Sequence, residues 1–190
     1  MGVYKYIRQI WKNPEKNLGP IYKQRLAQWR DEEVTVRIDY PTRLDKARSL
    51  GYKPKQGIIL VRQRVLKGGR QRPDIKGGRR SAHARQRKIV AKNYQRIAEE
   101  RANINYKNCE VLNSYEVGRD GLYLWYEIIL LDRNHPQIMN DPRYKGVVES
   151  RSRVFRGLTS AGRKSRGLRW KGKGSERARP SARANDRQAN

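Results

Sequence analysis

The sequence predicts an α+β fold: a small sheet packed with helices, plus long basic extensions that lack a core of their own. Three observations carry this. Val34–Ile38, Ile58–Val65, Glu110–Val117 and Leu122–Asp132 have strand-like patterning, while other segments carry apolar residues at helical spacing. Hydrophobic residues make up only 36% of the 190, below the usual range of about 45–50%, so part of the chain has to lie outside any core. The charge, 45 Lys+Arg against 18 Asp+Glu for a net +27, is also unevenly spread. Arg62–Lys92 carries twelve basic residues and one acid (Asp74), and Arg151–Asn190 carries thirteen and two (Glu176, Asp186), whereas Ala102–Ser150 carries five basic and seven acidic. These shifts divide the chain into an N-terminal helical segment (1–33), an α+β domain (34–150) with a basic loop at 66–84, and a basic extension (151–190).

At the N-terminus, Tyr4, Ile7, Ile10 and Trp11 recur at helical spacing, as do Leu18, Tyr22, Leu26 and Trp29. Gly19-Pro20 interrupts the second set, so Pro20 reads as the first turn of a helix running to about Asp31. Val34, Val36 and Ile38 alternate with polar residues, as a half-buried strand requires. Pro41-Thr42 leads into a helical stretch, Asp45–Leu50, stopped by Gly51. Ile58–Val61 is a continuous apolar run. Its continuation puts Arg62 and Arg64 on the face opposite Val61, Gln63 and Val65, predicting an arginine edge that points outward.

The near-repeat Lys67-Gly68-Gly69-Arg70 and Lys76-Gly77-Gly78-Arg79 around Pro73 reads as an extended loop. Arg85–Arg101 reads as an amphipathic helix with Val90, Tyr94, Ile97 and Ala98 buried, and with Arg85, Lys88, Lys92 and Arg96 along another face. Gly118–Gly121 marks a tight hairpin between two strands, and Leu122–Leu131, the most apolar segment, should be the central strand. After Ser150 the chain is nearly all Arg, Lys, Gly, Ser and Ala. The stretches Lys67–Ala84 and Arg151–Asn190 are expected to be disordered without a polyanion, because they bury too little apolar surface to offset chain entropy.

No constellation asks for an enzyme. Gly157–Ser165 approaches a phosphate loop, but Arg163 stands where the motif needs Lys, and no buried strand precedes it. A glycine-rich basic turn against an RNA backbone explains the same residues, with Arg163, Lys164 and Arg166 mattering far more than the hydroxyls of Thr159, Ser160 and Ser165. Two histidines and one cysteine give no credible metal set, and no cofactor is expected. Cys109 reads as a small buried hydrophobe. Glu99-Glu100 reads as local ion pairing at a helix end. Trp11 and Trp29 read as core, while Tyr52 and Trp170 are open to packing or to stacking on bases. No apolar run approaches the ~20 residues of a membrane span.

Several long segments then become specific: Gly2–Tyr6, Pro41–Gly57, Ala98–Ala102, Val111–Gly118 and Arg156–Leu168. Together they closely resemble the large-subunit ribosomal protein family numbered fifteen in the eukaryotic series, which archaea and eukaryotes share and which is unrelated to bacterial protein fifteen. The resemblance runs from the N-terminus to about Leu168, and the short chain favours an archaeal source. It implies a small α+β domain with an antiparallel sheet, four-stranded on the segments above. It also implies extensions threaded through large-subunit ribosomal RNA, neighbouring large-subunit proteins as partners, a cytoplasmic ribosomal location and no catalytic activity.

Charge and resemblance together nominate RNA-contacting residues. They are Arg43, Lys46, Arg48, Lys53 and Lys55; Arg62, Arg64, Lys67, Arg70, Arg72, Lys76, Arg79 and Arg80; Arg85, Lys88 and Lys92; and Arg151, Arg153, Arg156, Arg163, Lys164, Arg166, Arg169, Trp170, Lys171 and Lys173. No membrane, small-molecule substrate or homo-oligomer is expected. The alternative is a free-standing nucleic-acid-binding or RNA-chaperone module.

Overall fold

Thr35–Ile38 (β1), Ile58–Leu66 (β2), Cys109–Arg119 (β3) and Tyr123–Asp132 (β4) form one sheet in the order β1-β2-β4-β3, with every neighbouring pair antiparallel. The computed structural model describes residues 2–69, 71–82, 84 and 92–169. Seven helices accompany the strands among these residues: α1 (Val3–Ile10), α2 (Pro14–Asp31), α3 (Leu44–Ser49), α4 (Tyr94–Asn105), α5 (Pro136–Met139), α6 (Pro142–Val148) and α7 (Ser160–Ser165). None is long and apolar enough to cross a membrane.

The apolar run Leu122–Leu131 does become an interior strand. β4 lies between β2 and β3, and its residues 124–131 are all buried. Alternation along the strands sends side chains to two faces. On one face Val61, Val65, Leu124, Tyr126, Ile128 and Leu130 pack with Ala98 and Ala102 of α4 and with Cys109 and Val111. On the other, Leu60, Trp125, Ile129 and Tyr115 pack with Trp29 of α2, Ala47 of α3 and Tyr52. Tyr52 is therefore core. Leu131, Ile138, Tyr144 and Val148 close one end of the sheet beneath α5 and α6.

The Gly19-Pro20 interruption appears as a kink inside α2, where Gly19 takes φ 48° and ψ −121°. Only glycine adopts that conformation cheaply, and Pro20 then starts the longer half of the helix. In the hairpin, the Asp120 carboxylate accepts from Leu122 N at 2.7 Å and Tyr123 N at 2.5 Å, which fixes the turn.

Three features differ from expectation. The helix expected over Arg85–Arg101 begins at Tyr94, because Asn93 is extended (φ −86°, ψ 161°) and its side chain accepts from Arg96 N at 2.8 Å. Lys92 therefore precedes the helix, while Arg85, Lys88 and Val90 lie outside the described residues. Trp11 is half-buried beneath the Arg43 guanidinium, 4.9 Å from its ring, rather than in the core. Finally, residues 151–169 pack on the domain instead of trailing from it. Val154 belongs to the core on the α4 face, and Thr159 and Ala161 are buried. A few anchors suffice here, because the surface that receives them is already built by α4 and β3.

Candidate nucleic-acid interface

Two basic segments far apart in sequence meet across β3. Arg43 and Lys46, at the start of α3 and within it, line one side of a groove of about 520 Å³, and Lys164 and Arg169, in α7 and just beyond it, line the other. Its floor includes Asn113–Glu116 of β3 and the first residues of α4. Lys46, Lys164 and Arg169 are exposed. Arg43 donates to the Glu116 carbonyl at 3.4 Å, and Arg169 donates to the Ser160 hydroxyl.

Each rim is held by a buried glutamate. Thr42 N donates to both carboxylate oxygens of Glu127, at 3.1 and 3.3 Å, and the Tyr115 hydroxyl donates to Oε2 at 2.5 Å. This fixes the backbone just before Arg43. On the other side Thr159 Oγ1 donates to Glu99 Oε2 at 2.6 Å, while Ser114 Oγ donates to Oε1 at 2.5 Å. Thr159 also caps α7, accepting from Gly162 N at 3.1 Å. Burial pushes both carboxyls above their ordinary value; the hydroxyl hydrogen bonds oppose this at Glu99, as do the Thr42 and Tyr115 bonds at Glu127.

The glycines of the 157–165 turn have an internal explanation. Gly157 takes φ 65°, and a side-chain carbon on Gly162 would lie 2.7 Å from Gly157 Cα. Close packing of the turn on α7 requires both, whatever approaches from outside. Thr159 has a structural role of its own: it is buried and joins α7 to α4. Glu99 corrects the ion-pair reading. Glu100 does pair with Lys92 at 2.6 Å and with Arg96 at 3.0 Å, but Glu99 is buried among hydroxyls.

The other nominated cations divide by what they touch. Arg62 pairs with Glu32 and lies 4.6 Å over the Trp29 ring, while Arg64 lies 4.9 Å over Tyr123 and donates to the Arg30 carbonyl. The predicted outward arginine edge is thus covered by α2 and the hairpin. Arg153 donates to the Val111 carbonyl at 2.9 Å, and burial lowers its pKa. Arg156 holds the Arg151 carbonyl at 2.6 Å, and Arg166 donates to the Gly157 carbonyl at 3.3 Å. Lys55 pairs with Asp141 at 3.1 Å, Lys67 donates to the Asp120 carbonyl, and Arg72 donates to the Ala84 carbonyl at 3.2 Å. Arg48 lies 6.0 Å from the Tyr4 ring. Lys53, Lys76, Arg79, Arg80, Arg151 and Arg163 are exposed. Arg70, Trp170, Lys171 and Lys173 lie outside the described residues, with Arg85 and Lys88.

The glutamates that hold the rims escaped sequence reasoning, although both left a signal. Glu127 is the one acid inside Leu122–Leu131, where a buried strand must find it partners. Glu99 shares a helical stripe with Gln95, Ala98 and Ala102, the face turned to the sheet.

A small antiparallel sheet covered by helices on both faces, with cations from distant segments gathered on its surface, defines a compact basic α+β protein. The family described as Ribosomal L15 matches residues 2–185, and the chain belongs to that family. It is a ribosomal protein family, of structural components rather than enzymes. The chain is 54% identical over 187 residues to "Large ribosomal subunit protein eL15" of Nanoarchaeum equitans, covering 97% of this chain and 98% of that protein. It is 54% identical over 191 residues to the protein of the same name from Picrophilus torridus, covering 98% of each. With that of Methanocella arvoryzae it shares 50% over 190 residues, covering 98% of this chain and 97% of that one.

Proposed function

We propose that this chain is a structural constituent of the cytoplasmic large ribosomal subunit that binds and stabilises 23S-type ribosomal RNA beside neighbouring large-subunit proteins. The observation that carries the reading is the meeting of Arg43 and Lys46 with Lys164 and Arg169 on one groove, in a ribosomal-family chain of net charge +27. Four cations drawn from two distant segments form a surface suited to a chain of phosphates, and each phosphate contact releases condensed counterions. Exposed Lys76, Arg79 and Arg80 in the loop, with Lys53, Arg151 and Arg163, add further contacts.

Sedimentation of the native protein through a lysate gradient tests this. It should travel with the large subunit and move to the top after RNase treatment. A protein that stays at the top in both conditions is not a ribosomal constituent. One spread over many RNA sizes, with no subunit peak, is a free-standing binding module.

A further inference from the structure

We infer that the groove between α3 and α7 is a preformed site for an unpaired RNA segment, with phosphates along its two basic rims and a base on its floor. This rests on the proposed function and goes on to say which form of RNA the site takes.

Charge placement carries the argument. A surface that only neutralises phosphates would be basic throughout. Here the cations come from α3 and α7, which both pack on β3, while the rest of the lining includes Asn93, Asn113 and an acid, the exposed Glu116. A carboxylate repels phosphate but accepts from an exocyclic base amine. Asn93 and Asn113 each accept a backbone N–H through Oδ1, and among the described residues no hydrogen bond uses their Nδ2 donors. Two amide donors and a carboxylate can read a base edge.

Size points the same way. About 520 Å³ falls within the range of small-ligand sites, with room for about one or two nucleotides. The rims do not have to be assembled on binding, because Glu127 holds the backbone before Arg43 and Glu99 holds the cap of α7. A site fixed in advance loses little entropy on closing around a strand.

Competition binding with the full chain tests the inference, using single-stranded and duplex oligoribonucleotides of equal length at one near-physiological salt. The rim variant is Lys46→Ala, Lys164→Ala and Arg169→Ala. Its control is Lys76→Ala, Arg79→Ala and Arg80→Ala, which removes the same charge from the loop. The rim variant should weaken single-strand binding about tenfold more than the loop variant, with both weakening the duplex alike. Asn113→Ala should level the preference among homopolymer strands without changing duplex affinity. If the two triple variants weaken both RNAs equally, only charge counts: the inference fails and the RNA-binding reading stands. Capture of polyglutamate through the rim residues, with RNA binding indifferent to them, would assign the groove to an acidic peptide instead. A wild-type chain that binds neither RNA ends the proposed function as well.

Discussion

A carboxylate buried without a direct ion pair is costly, and among the described residues Glu99 and Glu127 are two such groups, set where the basic rims are anchored. Glu99 is fully buried and accepts from the Ser114 and Thr159 hydroxyls. Glu99→Ala leaves both hydroxyls without that partner and should cost about 1–3 kcal/mol for each one orphaned. Glu99→Gln keeps the volume, and either hydroxyl can turn to accept from the amide. Burial raises the folded-state pKa of Glu99 above its ordinary 4.5. The folded protein therefore holds this proton more tightly than the unfolded chain. Its contribution to stability is present below about pH 4.5, declines as pH rises through the raised value, and stays lost above it. Denaturant titrations across that range should show a shallower decline for Glu99→Gln than for wild type. Equal pH slopes for the two would contradict this account. Glu127 is raised for the same reason, so the double glutamine variant should be flatter still.

The elements were legible to different degrees, for physical reasons. Ile58–Val61 and Leu122–Leu131 stand out because burial on both faces of an interior strand demands an apolar run. The packing of residues 151–169 was hidden. Val154, Thr159 and Ala161 are isolated anchors among arginines and have no period, so composition alone reads the segment as solvated. The groove was half legible: its cations could be named from the sequence, but that α3 faces α7 across β3 is a long-range fact no local pattern encodes. The turn offers a direct test. In Gly162→Ala, the new Cβ would meet the Gly157 backbone, which cannot yield as a flexible side chain would. Overpacking of this kind costs about 1–3 kcal/mol. Limited trypsin digestion should then cut at Arg163 and Lys164 earlier than in wild type. In both proteins the exposed loop should be cut first, at Lys76, Arg79 and Arg80, since no helix or strand covers it among the described residues. Cleavage at Arg163 ahead of the loop in wild type would show that α7 is not docked.

For the whole molecule, the net charge of +27 overstates what is free to meet a partner. Arg62, Arg153 and Lys55 are tied to the fold's own carboxylates, carbonyls and rings. RNA affinity should therefore follow the exposed cations. With about six phosphates neutralised, log K should fall against log salt with a slope of about −4 to −5. A slope shallower than about −2 would rule out phosphate contacts as the main source of affinity. Replacing Arg62 should leave the slope nearly unchanged and lower the melting temperature. Replacing Lys76, Arg79 and Arg80 together should reduce the slope and spare the melting temperature.

Cys109 is the only cysteine in the chain, fully enclosed at the start of β3, and burial pushes its thiol up to about 11. A closed, protonated thiol is inert to alkylating reagents. The molecule therefore carries its own clock for the opening of that strand. The rate at which a maleimide consumes the thiol, followed by mass, reports how often β3 parts from the domain, and with one thiol the signal comes from one place. If RNA seated across β3 holds the strand shut, the clock should slow as RNA is added, long before any change in global unfolding is measurable.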